Sequence, residues 1–362
     1  MIAIVLGTRP EIIKMSPVIR ECERRGMDYF ILHTGQHYSY EMDRVFFEEL
    51  ELPEAKFNLD AGSGSHGVQT ARILEGIEHV LLREDPDIVL VQGDTNTVMA
   101  AALAAVKLHI PVGHVEAGLR SFDHTMPEEI NRIVADHVSD VLFAPTRVAR
   151  TNLLREGIPE ERIQVTGNTI VDAVFQNLEV SERRTNALEL LGLEPDEYLL
   201  CTAHRAENVD SRMKLEGILH GLSRIRSEYS LPVVFPVHPR TRERIMDFNL
   251  SLDGIQTIDP LGYLEFLQLE RHACLILTDS GGVQEEACIL HVPCITLREN
   301  TERPETLEVG SNLLVGTDEV RIVEGVEKML NKEREWVHPF GDGMAGKRIV
   351  EIIRNSSIFS SR

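Results

Sequence analysis

IAIVLGTRPEIIK, residues 2–14, passes from an uncharged apolar run, Ile2–Leu6, through Gly7 and Thr8 into a segment with Pro10 near its start. A short run of branched apolar side chains ended by a turn reads as a buried strand. Pro10 suits the first turn of a helix, because the N–H it lacks would have no intrahelical partner there. Strand, tight turn and helix in succession open a βαβ unit, and the rest of the chain repeats the theme.

Working outward, strands are expected at Tyr29–His33, Ile88–Gln92, Pro111–Val115, Val141–Ala144 and Gln164–Thr166. A second series is expected at Tyr198–Thr202, Val233–Val237, Ile255–Ile258, Leu275–Thr278, Cys294–Leu297 and Leu313–Val315. Runs of this kind alternating with amphipathic stretches predict an α/β chain of two Rossmann-like, doubly wound parallel sheets. At 362 residues the chain is long for one core. The charged, breaker-poor stretch Asp172–Glu197 joins the two series. The expected domains are therefore 1–171 and 172–343, with a last helix within 344–362 crossing back onto the first.

Composition narrows the function classes. A net charge of −21 opposes a nucleic-acid footprint, which needs a basic face. No window approaches the roughly 18 apolar residues of a membrane span, and Met1 leads directly into a strand without a basic leader. The expectation is a soluble, cytoplasmic protein. Its five cysteines, Cys22, Cys201, Cys274, Cys288 and Cys294, are widely spaced without C-x-x-C, which points to packed free thiols rather than disulfides or zinc.

Open α/β sheets bind ligands beyond the carboxyl ends of their strands, where helix N-termini gather. The segments there are GTRPEIIK after Leu6, TGQHYSYEM after His33, GDTNT after Gln92 and HVEAGLRSFDHTMPEEINR over residues 114–132. In the second series they are AHRAEN, HPR and DSGGVQEEA. Two polar edges and a cleft between them are expected. Arg9 and Lys14 are placed to meet an anion. DSGGVQEEA suits a diphosphate, with Gly281 and Gly282 admitting close approach and Ser280 offering a hydroxyl. It suits equally a plain turn with Ser280 as N-cap. Glu286, one turn further on, fits a ribose diol better than a phosphate. Gln36 and His37 belong either to a regulatory element or to a loop with a satisfied histidine. His204, beside Arg205, is a base or phosphate partner, or else part of a capped helix start.

Asp94, Glu116 and Glu128 are the candidate acid/base groups. Glu116 ends an otherwise apolar strand, Asp94 ends its neighbour, and Pro127 opens a helix that would aim Glu128 at the same edge. Three converging carboxylates would shift one another's pKa values. The bland alternative is a solvated acidic helix. GSGSHG, residues 62–67, matches G-x-G-x-x-G literally. Only FNLD precedes it, so the dinucleotide reading is rejected in favour of a mobile loop over the cleft.

Taken together, GTRPE, TGQH, GDT, HVEAGLR, PEE-x-NR, HR-x-EN, HPR, DSGG-x-QEEA and LRENTERPE resemble the non-hydrolysing UDP-N-acetylglucosamine 2-epimerases, in the family's order and across the whole chain. The resemblance implies a glycosyltransferase-B architecture, a UDP-sugar substrate and a homodimer. It places Ser280, Gly281 and Gly282 on the phosphates, Glu286 on the ribose, and Phe266 and the main chain at Leu261 on the uracil, with Arg303 in the same site. Arg9, Lys14 and His204 become further phosphate and sugar contacts, and Asp94, Glu116 and Glu128 the catalytic carboxylates. TGQH would help form a second, activating UDP-sugar site.

The C2–H of such a sugar has no adjacent carbonyl, so epimerisation needs oxidation elsewhere or elimination. With no dinucleotide site, elimination of UDP to a 2-acetamidoglucal and re-addition is expected, without a cofactor and with no metal ligation evident. The rivals are a 2-epimerase of UDP-2,3-diacetamido uronic acids, a glycosyltransferase of the same fold and a non-enzymatic nucleotide-sugar sensor.

Overall fold

The computed structural model describes residues 1–36 and 40–356. It divides into two compact units, the first comprising 1–176 and 340–362, the second 177–339. The last helix of the chain therefore belongs with the first unit.

The first unit holds strands β1 (Ile2–Leu6), β2 (Tyr29–His33), β3 (Phe57–Asn58), β4 (Ile88–Gln92), β5 (Val112–Val115), β6 (Val141–Ala144) and β7 (Ile163–Val165). They form one sheet in the order β3-β2-β1-β4-β5-β6-β7, with every pairing parallel. Helices α1 (Arg9–Arg25), α2 (Tyr40–Glu49), α3 (His66–Glu84), α4 (Asn96–Lys107), α5 (Pro127–Val138), α6 (Arg147–Arg155) and α7 (Thr169–Arg184) follow the strands in turn. Strands β1 and β4 are buried along their whole length, as expected where helices cover both faces of a parallel sheet.

The second unit repeats the plan. Helix α8 (Ala187–Leu191) leads to β8 (Leu199–Thr202), α9 (Ala206–Val209), α10 (Arg212–Tyr229), β9 (Val233–Pro236), α11 (Pro239–Asp247), β10 (Ile255–Ile258) and α12 (Tyr263–His272). Next come β11 (Leu275–Thr278), α13 (Gly281–Ile289), β12 (Cys294–Thr296), α14 (Pro304–Glu308), β13 (Asn312–Leu314) and α15 (Glu319–Leu330). Its sheet runs β10-β9-β8-β11-β12-β13, again all parallel. In both units the strand order reverses beside the first strand, between β1 and β4 and between β8 and β11. That is the topological position at which such sheets bind ligands.

The expected strands all form, several with an end displaced by one residue. One strand escaped the sequence reading. β3 is two half-buried residues at the sheet edge, too short to show any periodicity. The five cysteines are buried and unbridged, and burial pushes the Cys22 thiol up to about 12 and the Cys274 and Cys288 thiols up to about 11. Among the described residues, no helix is long and apolar enough to cross a membrane.

Helix α16 (Ala345–Asn355) packs on α1. Its first free N–H groups, those of Ala345 and Gly346, donate to the Asp172 carboxylate at 3.1 and 3.0 Å. Contact with α1 is so close that a Cβ on Gly346 would lie 2.9 Å from the Pro17 carbonyl carbon.

Candidate active site

In the first unit the strand order sets β1, β4 and β5 side by side, so the segments that follow them meet. Gly7 and Thr8 end β1, and the Glu11 carboxylate turns back from the first turn of α1 to accept their N–H groups. Thr95, which follows β4, donates its hydroxyl to the other oxygen of Glu11. Burial pushes the Glu11 carboxyl up to about 7, partly opposed by the Thr95, Gly7 and Thr8 hydrogen bonds and assisted by nearby Asp94.

Glu116 follows β5 with φ of 68°, a left-handed conformation uncommon for a residue with a side chain. The Lys14 ammonium donates to both of its carboxylate oxygens, at 2.8 and 2.7 Å. Gln92, the last residue of β4, donates its side-chain amide to the same group. Asp94 is held from α5, with Arg132 donating to its carboxylate and Asn131 to its main-chain oxygen at 2.9 Å. Arg132 also reaches Glu129 at 3.2 Å. Buried Glu129 in turn accepts the N–H groups of Ser121 and Phe122 at 2.9 and 3.0 Å, fixing the loop between β5 and α5. Glu128 is exposed in the first turn of α5. It precedes Arg132 by four residues and so shares the helix face that meets Asp94.

The anticipated clash of carboxylates thus requires correction. Asp94 and Glu116 each carry their own cation, Arg132 and Lys14, and those pairings offset the repulsion that bare side chains at adjacent strand ends would suffer. Lys14, anticipated as an anion contact, meets a carboxylate of its own unit. Arg9 stands at the start of α1 with its guanidinium 5.6 Å from the centre of the Phe46 ring.

Gln36 is buried, and its side-chain oxygen accepts the Thr97 N–H and hydroxyl at 3.0 and 2.7 Å. His37 lies outside the described residues. The GSGSHG segment is not wholly a loop, for His66 and Gly67 begin α3. Its first carbonyl, that of Gly62, is fastened by the Gln69 side chain at 2.8 Å.

The second unit presents a different chemistry at its strand ends. Ser280, Gly281 and Gly282 form the turn from β11 into α13, and Ser280 is the N-cap residue but makes no side-chain cap bond. The ordinary-cap reading is thereby weakened. A Cβ on Gly281 would meet nothing nearer than 3.7 Å, and one on Gly282 nothing nearer than 3.9 Å. The missing side chains leave open space beside the N-terminus of a helix, where an anion is favoured. Buried Asp279 organises the neighbouring turn, accepting from the main-chain N–H of His204 at 3.0 Å and of Arg205 at 2.9 Å. The His204 ring is exposed, 5.9 Å between centroids from that of His238.

Glu286 is buried in α13 and accepts the Tyr263 hydroxyl at 3.0 Å. Glu270, fully buried in α12, is held well above the carboxylate range by burial and then by the Glu286 charge. Phe266 and Leu261 are half-buried at and just before the start of α12. Arg303 pairs with buried Glu285 at 2.8 Å. Among the described residues, no group of three or more histidines, cysteines or acids is placed to hold a metal.

The sequence profile of the UDP-N-acetylglucosamine 2-epimerases matches residues 20–354. The chain belongs to that family. A UDP-N-acetylglucosamine 2-epimerase of Methanocaldococcus jannaschii is 58% identical over 97% of this chain and 98% of its own length. The crystal structure of the M. jannaschii enzyme in complex with UDP-GlcNAc and UDP superposes with a TM-score of 0.88 at 58% identity, covering 98% of this chain and 99% of that one. A UDP-2,3-diacetamido-2,3-dideoxy-D-glucuronate 2-epimerase of Pseudomonas aeruginosa is 44% identical over 96% of this chain and 98% of its own length. Membership makes the protein an isomerase, and its two parallel sheets are those of the glycosyltransferase-B-like epimerase structures.

Within the 2-epimerase framework, the motifs mark the candidate carboxylates but do not show that Lys14, Gln92 and Arg132 hold them. Arg132, Gln92 and Asp279 all lie inside the quoted motifs or beside them. Their bonding to distant strand ends was the missing information.

Proposed function

We propose that this protein interconverts UDP-N-acetylglucosamine and UDP-N-acetylmannosamine by eliminating UDP and adding it back. In the forward step a carboxylate takes the C2 proton, the C1–O bond breaks with its electron pair leaving on UDP, and a C1–C2 double bond forms. In the return step a UDP oxygen re-forms the bond to C1 and C2 is protonated from the opposite face. Two faces require donors on both sides, which is the reason for more than one acidic group. Asp94, Glu116 and Glu128 take the proton-transfer roles, and His204 assists the leaving phosphate.

The observation that carries this reading is the pair of carboxylates, Asp94 and Glu116, at the ends of adjacent strands, each held by a cation. In this reading the open Ser280–Gly282 turn takes the diphosphate, with Arg9, Lys14 and Arg303 as further contacts. Glu286 takes the ribose, and Phe266 with the main chain at Leu261 takes the uracil. Helix N-terminal N–H groups then stabilise the departing UDP, an electrostatic contribution of order 3 kcal/mol per well-placed donor.

Incubation with UDP-N-acetylglucosamine alone in heavy water tests the proposal. Deuterium at C2 together with the manno epimer is expected, whereas a glycosyltransferase would need an acceptor and a sensor would leave the sugar unlabelled. The Glu116→Gln variant should fold and bind UDP but neither epimerise nor exchange, and normal turnover in it would refute the assignment. The 44% identity to the uronate epimerase favours one second reading. Label entering only the diacetamido uronic acid substrate would select it.

A further inference from the structure

His114, the third residue of β5, is fully buried, as is Asp136 of α5. Its Nδ1 lies 2.7 Å from Asp136 Oδ1 and its Nε2 lies 2.8 Å from the Gly93 carbonyl oxygen. A carbonyl only accepts, so Nε2–H donates to it. The Asp136 carboxyl suffers from burial, but its His114 and Arg120 contacts prevail and hold it below the usual carboxylate range. Arg120 bonds Asp136 at 2.7 Å and is itself paired with Glu156 at 2.6 Å. The imidazole therefore has an acceptor at each nitrogen and no freedom to turn.

What the pair holds is the point. Gly93 is the turn residue between β4 and Asp94, with φ of 86°. Its N–H donates to the Val115 carbonyl at 3.1 Å and its carbonyl receives His114, so both of its polar groups are tied to β5. On the other side, the second oxygen of Asp136 accepts the Gly118 N–H at 3.1 Å, two residues past Glu116. One buried pair thus fastens the turn that launches Asp94 and the turn that follows Glu116.

We propose that His114, backed by Asp136, is a positioning residue for epimerisation. It sets the spacing between the Asp94 and Glu116 carboxylates without touching the sugar. This rests on the assignment of proton transfer to those two acids. Displacing a reacting group by about 1 Å lowers turnover roughly 100-fold while leaving substrate contacts elsewhere intact, so the effect belongs in kcat rather than KM.

Two substitutions separate the two ring nitrogens. In His114→Gln the amide nitrogen takes the place of Nε2 and can still donate to Gly93. In His114→Asn it takes the place of Nδ1 and reaches only Asp136. The full-length protein is assayed with UDP-N-acetylglucosamine for kcat, KM and C2 deuterium incorporation, alongside Asp94→Asn. The Asn variant should lose roughly 10- to 100-fold in kcat with KM within about 2-fold, and the Gln variant should recover to within about 5-fold of the parent. A merely structural histidine would leave both variants equally slow, or neither, and either result overturns the proposal. Should the Asn variant not fold, Asp136→Asn carries the same expected kcat loss, and full turnover there also overturns it. Asp94→Asn separates the two failures. If it is inactive while His114→Asn is unimpaired, only the positioning role falls. If it turns over normally, the assignment of Asp94 falls and takes the positioning role with it.

Discussion

Replacing Glu11 with Gln should make the first unit more stable at neutral pH, even though it removes a hydrogen-bonded carboxylate. Glu11 is buried, and burial raises its pKa from 4.5 to about 7. Below pH 4.5 the group is protonated folded and unfolded alike, and it contributes no pH dependence. Between 4.5 and 7 the unfolded chain releases the proton while the folded one keeps it, so stability falls as pH rises through that window. Above 7 the loss is complete. A shift of this size corresponds to about 3 kcal/mol at 1.36 kcal/mol per pH unit. Glutamine has the same shape. Its oxygen can accept the Gly7 and Thr8 N–H groups, and its NH2 can donate to Thr95, whose hydroxyl rotates to receive it. Urea unfolding of the variant and the parent, followed by circular dichroism at pH 5 and pH 8, measures the difference. The variant should gain up to about 3 kcal/mol at pH 8 relative to its gain at pH 5. An identical pH dependence in the two proteins would show that Glu11 titrates normally and that its burial carries no such penalty.

Two further substitutions test packing and binding separately. Gly346→Ala drives a methyl to 2.9 Å from the Pro17 backbone and should destabilise the protein by about 1–3 kcal/mol through displacement of α16 from α1. An unchanged urea midpoint would mean that this contact relaxes freely. Gly282→Val adds, at an exposed position, a first carbon that would lie 3.9 Å from Ser280 Oγ and in ordinary contact at most. Its melting temperature should therefore stay close to the parent's while UDP affinity, read by titration calorimetry, falls at least about 10-fold, or 1.4 kcal/mol. Unaltered affinity would remove the Ser280–Gly282 turn from the nucleotide site.

Much of the candidate site was legible because its residues fall where a strand ends and a helix begins. The apolar run Ile88–Gln92 predicts its own termination, and so marks Asp94, while Val115 marks Glu116 in the same way. Other features left no local trace. β3 is two residues long, and its identity as a strand depends on pairing with β2 rather than on any pattern of its own. The GSGSHG match could be set aside by its context, yet nothing in its letters told that its last two residues begin a helix.

Side-chain periodicity is a property of a few consecutive residues, and from it the chain by itself determined the two series of parallel strands, the helices between them and the polar turns at their ends. Which cation meets which acid is another matter. Lys14 and Glu116 are 102 positions apart and Arg132 and Asp94 are 38 apart. They meet only because the sheet order sets β1, β4 and β5 side by side and lays α5 over the end of β4. Electrostatic attraction at a few ångströms reports that geometry, and no sequence spacing encodes it until the tertiary structure has folded the strands together.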